Sequence, residues 1–264
     1  ADLMRLAGLV AAFGLGTGAA MACEQPPHRA TDLPESVTFA GAEGEGVWAA
    51  WYGSATTRYG HGVLGDAIEG GALYAYAEGA GNDCDLVGVT LDGAHVFEDT
   101  APRLADLDGD GVAEIITVRS SLTQGAQLAI YAATGASLTL LATTPYIGRA
   151  NRWLAPIGAA DLDGDGHMEI AYIDRPHLAR TLRIWRFANG DLTELAAATG
   201  LTNHRIGEDF ISSGLRDCGD GPEMLTANAD WSRLIASRFD GTGITATDLG
   251  PYSATALQTA LSCD

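Results

Sequence analysis

Asp106, Asp108, Asp110 and Glu114 stand at positions 1, 3, 5 and 9 of a run reading Asp-Leu-Asp-Gly-Asp-Gly-Val-Ala-Glu-Ile. The run recurs 55 residues later as Asp161, Asp163, Asp165 and Glu169, with eight of ten residues identical. A hard cation such as Ca2+ takes about six to eight oxygen ligands, so it needs several carboxylates converging from a tight turn. Acids at alternate positions can point at one ion, and glycine at position 6 lets the backbone reverse. Position 7 offers a carbonyl, and position 9 closes the cage. The first predicted site is Asp106, Asp108, Asp110, the carbonyl of Val112, and Glu114. The second is Asp161, Asp163, Asp165, the carbonyl of His167, and Glu169. An EF-hand places its glutamate at about position 12 between helices, whereas here short apolar runs flank the loops. A metal-free polar hairpin is the plain alternative, and two near-identical copies argue against it.

A worn copy, Cys218-Gly-Asp-Gly-Pro-Glu-Met224, follows a further 55 residues on. Arg216 and Cys218 stand there in place of Asp161 and Asp163, so metal binding is expected to be lost. Gly65-Asp66-Ala-Ile-Glu69 reads as a shorter relative upstream.

Each acidic loop is followed by short apolar or alternating runs broken by Gly, Asp and Asn, which read as strands. The pattern predicts repeating four-stranded units at roughly 58–98, 99–150, 151–203 and 204–250. Val37–Phe39 and Val47–Tyr52 are further strand candidates that would close a ring or start another unit. Four strands per unit at this period suit an all-β fold, a β-propeller of four or five antiparallel blades.

A second set of residues falls in the connections expected on the face away from the acidic loops. These are Arg58, Tyr59 and His61; Arg152 and Trp153; Asp174, Arg175 and His177; His204, Arg205 and Glu208; and Asp230 and Trp231. Arginine forks can hold carboxylate or sulfate oxygens, and aromatic faces can stack on sugars. The bland readings are inter-blade packing for Trp153 and Trp231, and structural ion pairs for Asp174–Arg175 and Arg205–Glu208.

The pattern D-x-D-G-D-G-x-x-E-I between strands resembles the FG-GAP, or VCBS-type, repeat of the integrin alpha-chain propeller and of many exported bacterial proteins. The resemblance is specific at 106–118 and 161–173 and weak elsewhere in 58–250. It implies a propeller with Ca2+ in the loops between the first and second strand of a blade. Integrin propellers have seven blades, and this chain has room for four or five.

Composition sets the outer bounds. The 264 residues carry a formal charge of −19, and all 15 basic residues are Arg. Without Lys there is no P-loop and no Schiff-base chemistry. The acidity argues against nucleic acid and anionic membrane surfaces. Met4 to Ala22 reads as a secretory leader, giving 1–22 as signal peptide, 23–57 as N-terminal strands and 58–264 as repeats. No other stretch is long enough to span a bilayer. Lipidation at Cys23 is a minor alternative, because Ala-Met-Ala-Cys matches a lipoprotein box poorly. Four cysteines in an exported chain predict two disulfides in one of three connectivities, of which Cys218–Cys263 with Cys23–Cys84 is preferred. G-x-S-x-G, H-E-x-x-H and C-x-x-C are all missing. The sequence therefore predicts a secreted or periplasmic Ca2+-binding propeller that binds a carbohydrate or protein ligand. The alternatives are an assembly partner in an envelope complex, or a polysaccharide lyase or hydrolase.

Overall fold

A computed structural model describes residues 31–40, 46–77 and 85–264. The expected leader, the anchor position Cys23 and the Cys23–Cys84 pair lie outside the described residues. The apolar runs form strands, and these assemble in chain order into four antiparallel sheets in a propeller-like arrangement. The first sheet holds β1 (Thr38–Phe39), β2 (Val47–Gly53), β3 (Ala72–Ala77) and β4 (Asp85–Thr90). The second holds β5 (His95–Phe97), β6 (Arg103–Ala105), β7 (Glu114–Ser121), β8 (Gly125–Thr134) and β9 (Ser137–Thr143). The third holds β10 (Leu154–Ala160), β11 (Glu169–Asp174), β12 (Thr181–Ala188) and β13 (Asp191–Thr199). The fourth holds β14 (Leu201–Thr202), β15 (Gly214–Asp217), β16 (Pro222–Asn228), β17 (Arg233–Phe239) and β18 (Ile244–Pro251).

In the second sheet β5 and β6 both pair with β7, and in the fourth β14 and β15 both pair with β16. Each is a single first strand interrupted by a loop, so every sheet is four strands deep. The interruptions, residues 98–102 and 203–213, reappear in the site described below.

Two sequence expectations shift. Val37–Phe39 and Val47–Tyr52 neither close a ring nor start a fifth unit. They supply the first two strands of the first sheet, because the apolar run of β2 pairs along β3 from Val47↔Ala77 to Gly53↔Ala72. The expected boundary at residue 58 therefore falls inside the β2–β3 connection. Gly65–Glu69 occupies that same connection, whereas the acidic loops join first and second strands. A matching Asp–Glu spacing carries no information about which end of a strand it follows, and the likeness is one of spacing only.

The central strands are buried on both faces, which explains why they read as continuous apolar runs. Side chains alternate across each strand. Ile115 joins the cluster between the first and second sheets, with Tyr52, Phe97 and Tyr131. Its neighbour Ile116 joins the cluster between the second and third, with Leu128, Trp153 and Tyr172. Ile173, Ile184 and Met224 fill the space between the third and fourth. The outer face of the fourth sheet is covered by a helix, α1 (Ala254–Leu261), which adds Leu257 and Ala260 to Leu225, Leu234 and Ala236. Ser253 caps that helix, its hydroxyl accepting from the Ala256 amide at 3.0 Å. Cys218 and Cys263 form the expected disulfide and tie the fourth acidic-loop copy to the residues just after α1. Among the described residues no hydrophobic cluster joins the fourth sheet to the first. No helix of the described residues is long and apolar enough to cross a membrane.

Candidate functional site

The acidic loops leave the ends of β6 and β10 and turn back into β7 and β11. Their turns are built by their own carboxylates. Asp106 accepts the amides of Gly109 and Gly111 at 2.8 and 3.0 Å, and Asp161 accepts those of Gly164 and Gly166 at 2.8 and 2.9 Å. The glycines at these bends have positive φ, from 78° to 89°, a region that non-glycine residues enter at a cost. Glu114 accepts the Leu107 amide at 2.8 Å, and Glu169 accepts the Leu162 amide at 2.9 Å, so each glutamate folds back under its loop. Asp106, Asp108 and Glu114 bring ligand atoms within 4.8 Å of one another, and so do Asp161, Asp163 and Glu169. Either cluster can hold a metal ion. Asp110 and Asp165 instead accept the amides of Val112 and His167 at 2.7 and 2.9 Å. Burial pushes Glu114 up to about 7, against the Leu107 hydrogen bond, with Asp108, Asp110 and Asp106 adding to the rise. A buried carboxylate with acidic neighbours is a donor set suited to a hard cation, which would relieve that repulsion. In the worn copy Asp217 accepts the amides of Gly219 and Gly221, while Glu223 is held by Arg216 and Arg238.

At the other end of the sheets the connections converge on a cleft of about 220 Å3. Its walls are His61, Asn151, Arg152, Trp153, Arg175, Pro176, His177, Leu178 and Ile206. Five of the residues singled out from sequence therefore meet there: His61, Arg152, Trp153, Arg175 and His177. The lining contains no Asp or Glu, although the chain carries 34 acids against 15 bases. Arg152 forms no ion pair among the described residues, and its Nη1 donates to the Asn151 carbonyl at 2.6 Å. Asn151 and Arg175 sit at φ of 55° and 47°. A left-handed backbone at a non-glycine residue costs of order 1 kcal/mol and tends to mark functional segments.

The remaining sequence candidates stand around or behind this cleft. Tyr59 is buried, and its hydroxyl accepts the Asn151 amide at 2.7 Å. Asp174 is buried and grips Arg175 through both oxygens at 2.8 and 2.9 Å, with Arg183 at 3.0 Å. His204 is buried between His177 and the edge of Trp153. Arg58 donates to the His95 carbonyl at 2.9 Å. Arg205 stacks on Trp231 at 3.7 Å and pairs with Glu208 at 3.3 Å, and Asp230 braces the Trp231 turn through Ser232. These form a separate group outside the cleft lining.

Two further residues stand behind the cleft: Glu98, which the sequence left unmarked, and Glu69, which it marked only as the end of the short acidic-loop relative. Glu98, in the loop interrupting the first strand of the second sheet, is fully buried. It is bound by His61 Nδ1 and by the Ser120 hydroxyl at 2.5 Å, while its own carbonyl accepts Trp153 Nε1 at 2.8 Å. Burial raises its pKa, and the His61 and Ser120 hydrogen bonds oppose that. Glu69 is buried with no side-chain hydrogen bond among the described residues, and burial followed by repulsion from Glu98 pushes it up to about 9. A Glu-Asp pair in a loop carries no pattern that would have singled out Glu98, and the Asp66–Glu69 spacing gave no sign that Glu69 would be buried beside it.

The sheets and acidic loops together define an all-β repeat protein with carboxylate clusters between first and second strands. Residues 106–172 match the FG-GAP-like repeat, so the chain carries that repeat across its second and third sheets. No curated protein is detectably similar to the chain. Among solved structures it is similar to the exotype rhamnogalacturonan lyase YesX, at 17% identity and a TM-score of 0.46, over 83% of this chain and 48% of that one. The chain thus spans about half the length of that protein.

Proposed function

We propose that this protein is an exported, Ca2+-binding β-propeller that binds an anionic carbohydrate in the cleft opposite its acidic loops. One observation carries the ligand reading: a cleft lined by two arginines and two histidines, without an acid, in a chain of net charge −19. Arg152, which forms no ion pair among the described residues, sets a positive charge in a wall without acids, and that attracts an anion while the surrounding acidic surface limits where else one can settle. The volume suits one sugar ring, Trp153, Pro176, Leu178 and Ile206 offer it apolar contact, and Arg152 can fork onto a carboxylate or sulfate. The Cys218–Cys263 disulfide supports an exported setting.

Ca2+ would be held by Asp106, Asp108 and Glu114, the loop whose donors most directly fit it, and would neutralise those acids and hold the loop closed. The residues at the cleft do their work independently: Arg152 binds and orients the anion, and Asp174 fixes Arg175.

Titration with neutral, uronate-bearing and sulfated oligosaccharides tests the reading. Binding of the anionic sugars alone is expected, weakening with salt. Arg152→Ala should weaken it about ten-fold or more with an unchanged melting temperature. Equal binding of neutral sugars, or no effect of Arg152→Ala, would overturn it.

His61 favours a second reading. Its Nδ1 rests on a buried carboxylate, itself held by Ser120, and the ring lines the cleft. That arrangement orients an imidazole as a general base, so lyase or hydrolase action on the same ligand is the competing function. Turnover of the bound oligosaccharide that is lost in His61→Ala would establish it.

A further inference from the structure

The two acidic loops are nearly identical in sequence and in their own hydrogen bonds, yet an arginine reaches into one of them and not the other. Arg186, on β12, reaches into the second loop with all three guanidinium nitrogens. Nε lies 2.6 Å from Glu169, Nη2 3.0 Å from Asp163 and Nη1 2.8 Å from Asp165. Two of these acids, Asp163 and Glu169, belong to the cluster that can hold a metal.

Strand register explains why only one loop is served in this way. Arg186 stands directly opposite Glu169 across the β11–β12 pair. In the second sheet Ile115 is opposite Tyr131, so the next position out, opposite Glu114, is Ala132. A methyl group cannot reach the first loop, and among the described residues no Arg forms an ion pair with Asp106, Asp108, Asp110 or Glu114. In the fourth sheet Met224 is opposite Ser237, so the residue opposite Glu223 is Arg238, which pairs with that glutamate at 3.1 Å. There the loop has also lost the acids at its first and third positions. One register position thus holds Ala, Arg and Arg in successive sheets; the loop of the third sheet keeps all four acids beside its Arg, and that of the fourth has lost two.

Resting on the reading of these loops as cation sites, we infer that Arg186 is a built-in counter-ion that takes the cation's place in the second loop. The chain then has one high-affinity divalent site, at Asp106, Asp108 and Glu114. A planar guanidinium satisfies several carboxylates at once and cannot be deprotonated. Ca2+ entering the second loop must first displace those three ion pairs, so the loop keeps its shape without metal. The first loop lacks this support, so its four acids make it the calcium-responsive element.

Calorimetric titration of the metal-free chain with CaCl2 tests this, alongside Arg186→Gln, Ala132→Arg and Asp106→Asn. The native chain should bind one Ca2+, and Asp106→Asn should remove it. Arg186→Gln should gain a second site by tightening it about ten-fold or more. Ala132→Arg, which installs the same fork beside the first loop, should weaken the native site by a similar factor, so the idea does not depend on Arg186→Gln folding well. Two equal sites in the native chain, or one site lost with Asp161→Asn and kept in Asp106→Asn, would overturn the inference and leave calcium binding standing. No heat in the native chain or in Arg186→Gln would overturn both.

Discussion

His177 and His204 share a hydrogen bond of 3.0 Å between Nε2 of the first and Nδ1 of the second, and a third group fixes its direction. His204 Nε2 faces the Glu208 carbonyl at 2.8 Å, which can only accept, so this nitrogen carries the proton. Nδ1 of the neutral ring is then the acceptor, and His177 donates. Protonating His204 would set two N–H groups against each other. Burial, reinforced by His204, lowers His177 to about 4, and burial lowers His204. Folding therefore excludes protons that the unfolded chain binds, and stability is lost as pH falls from the ordinary histidine range towards 4. Urea midpoints taken between pH 7 and 4 should fall more steeply for the native chain than for His177→Gln; parallel curves would refute the assignment.

Glu69 makes the opposite prediction on the alkaline side. Its folded pKa of about 9 lies above its ordinary 4.5, so its contribution is fully present below 4.5 and is lost as pH rises through 9. Glu69→Gln keeps the shape and removes the charge. The variant should be more stable than the native chain at pH 8, where the unfolded carboxyl is ionised and the folded one is not, and indistinguishable at pH 4. Denaturant unfolding at the two pH values measures both.

Removing calcium should lower thermal stability. A ligand present at about 100 times its Kd stabilises the folded state by about 2.7 kcal/mol. For a chain of this size that corresponds to roughly 5–10 °C in Tm. Scanning calorimetry in EDTA, then with excess Ca2+, should show the loss and its recovery, and Asp108→Asn should abolish the difference.

Gly125 couples the second sheet to the cleft wall. It opens β8 at φ 74°, and a Cβ there would lie 2.3 Å from the Arg149 carbonyl oxygen and 2.8 Å from that of Arg152. Gly125→Ala must push the 149–152 segment outward, displacing Asn151 and Arg152. A loss of stability of about 1–3 kcal/mol is expected, together with weaker binding of anionic oligosaccharide than in any surface variant of equal stability.

The Cys218–Cys263 bridge holds α1 over the outer face of the fourth sheet, where it buries Leu225, Leu234 and Ala236. Cys263→Ser should cost about 2–4 kcal/mol. Hydrogen exchange should speed up in α1 and β16 before it does so in β7 or β8.

The acidic loops were legible in the sequence because metal ligation from a tight turn uses residues a few positions apart. Type and spacing along one segment carry that signal. The four-sheet architecture was legible for a related reason: strands buried on both faces read as apolar runs at a regular period. The first sheet was misplaced by one connection, since β1 and β2 lack an acidic signature and only pairing with β3 assigns them.

What the sequence determined, then, was local: the carboxylate spacing, the strand runs, the absence of Lys and the even number of cysteines. Tertiary structure decided whatever depends on register and convergence. Arg186 lies 17 residues past Glu169 and is unremarkable until strand pairing sets it opposite that glutamate. His61, Arg152, Arg175 and Ile206 come from connections of different sheets and share a wall only because the ends of those sheets meet. Glu98 acquires its role through burial against His61 and Ser120. Spacing along a chain fixes which residues can share a turn, while distance and dielectric between remote residues are set only when the sheets pack.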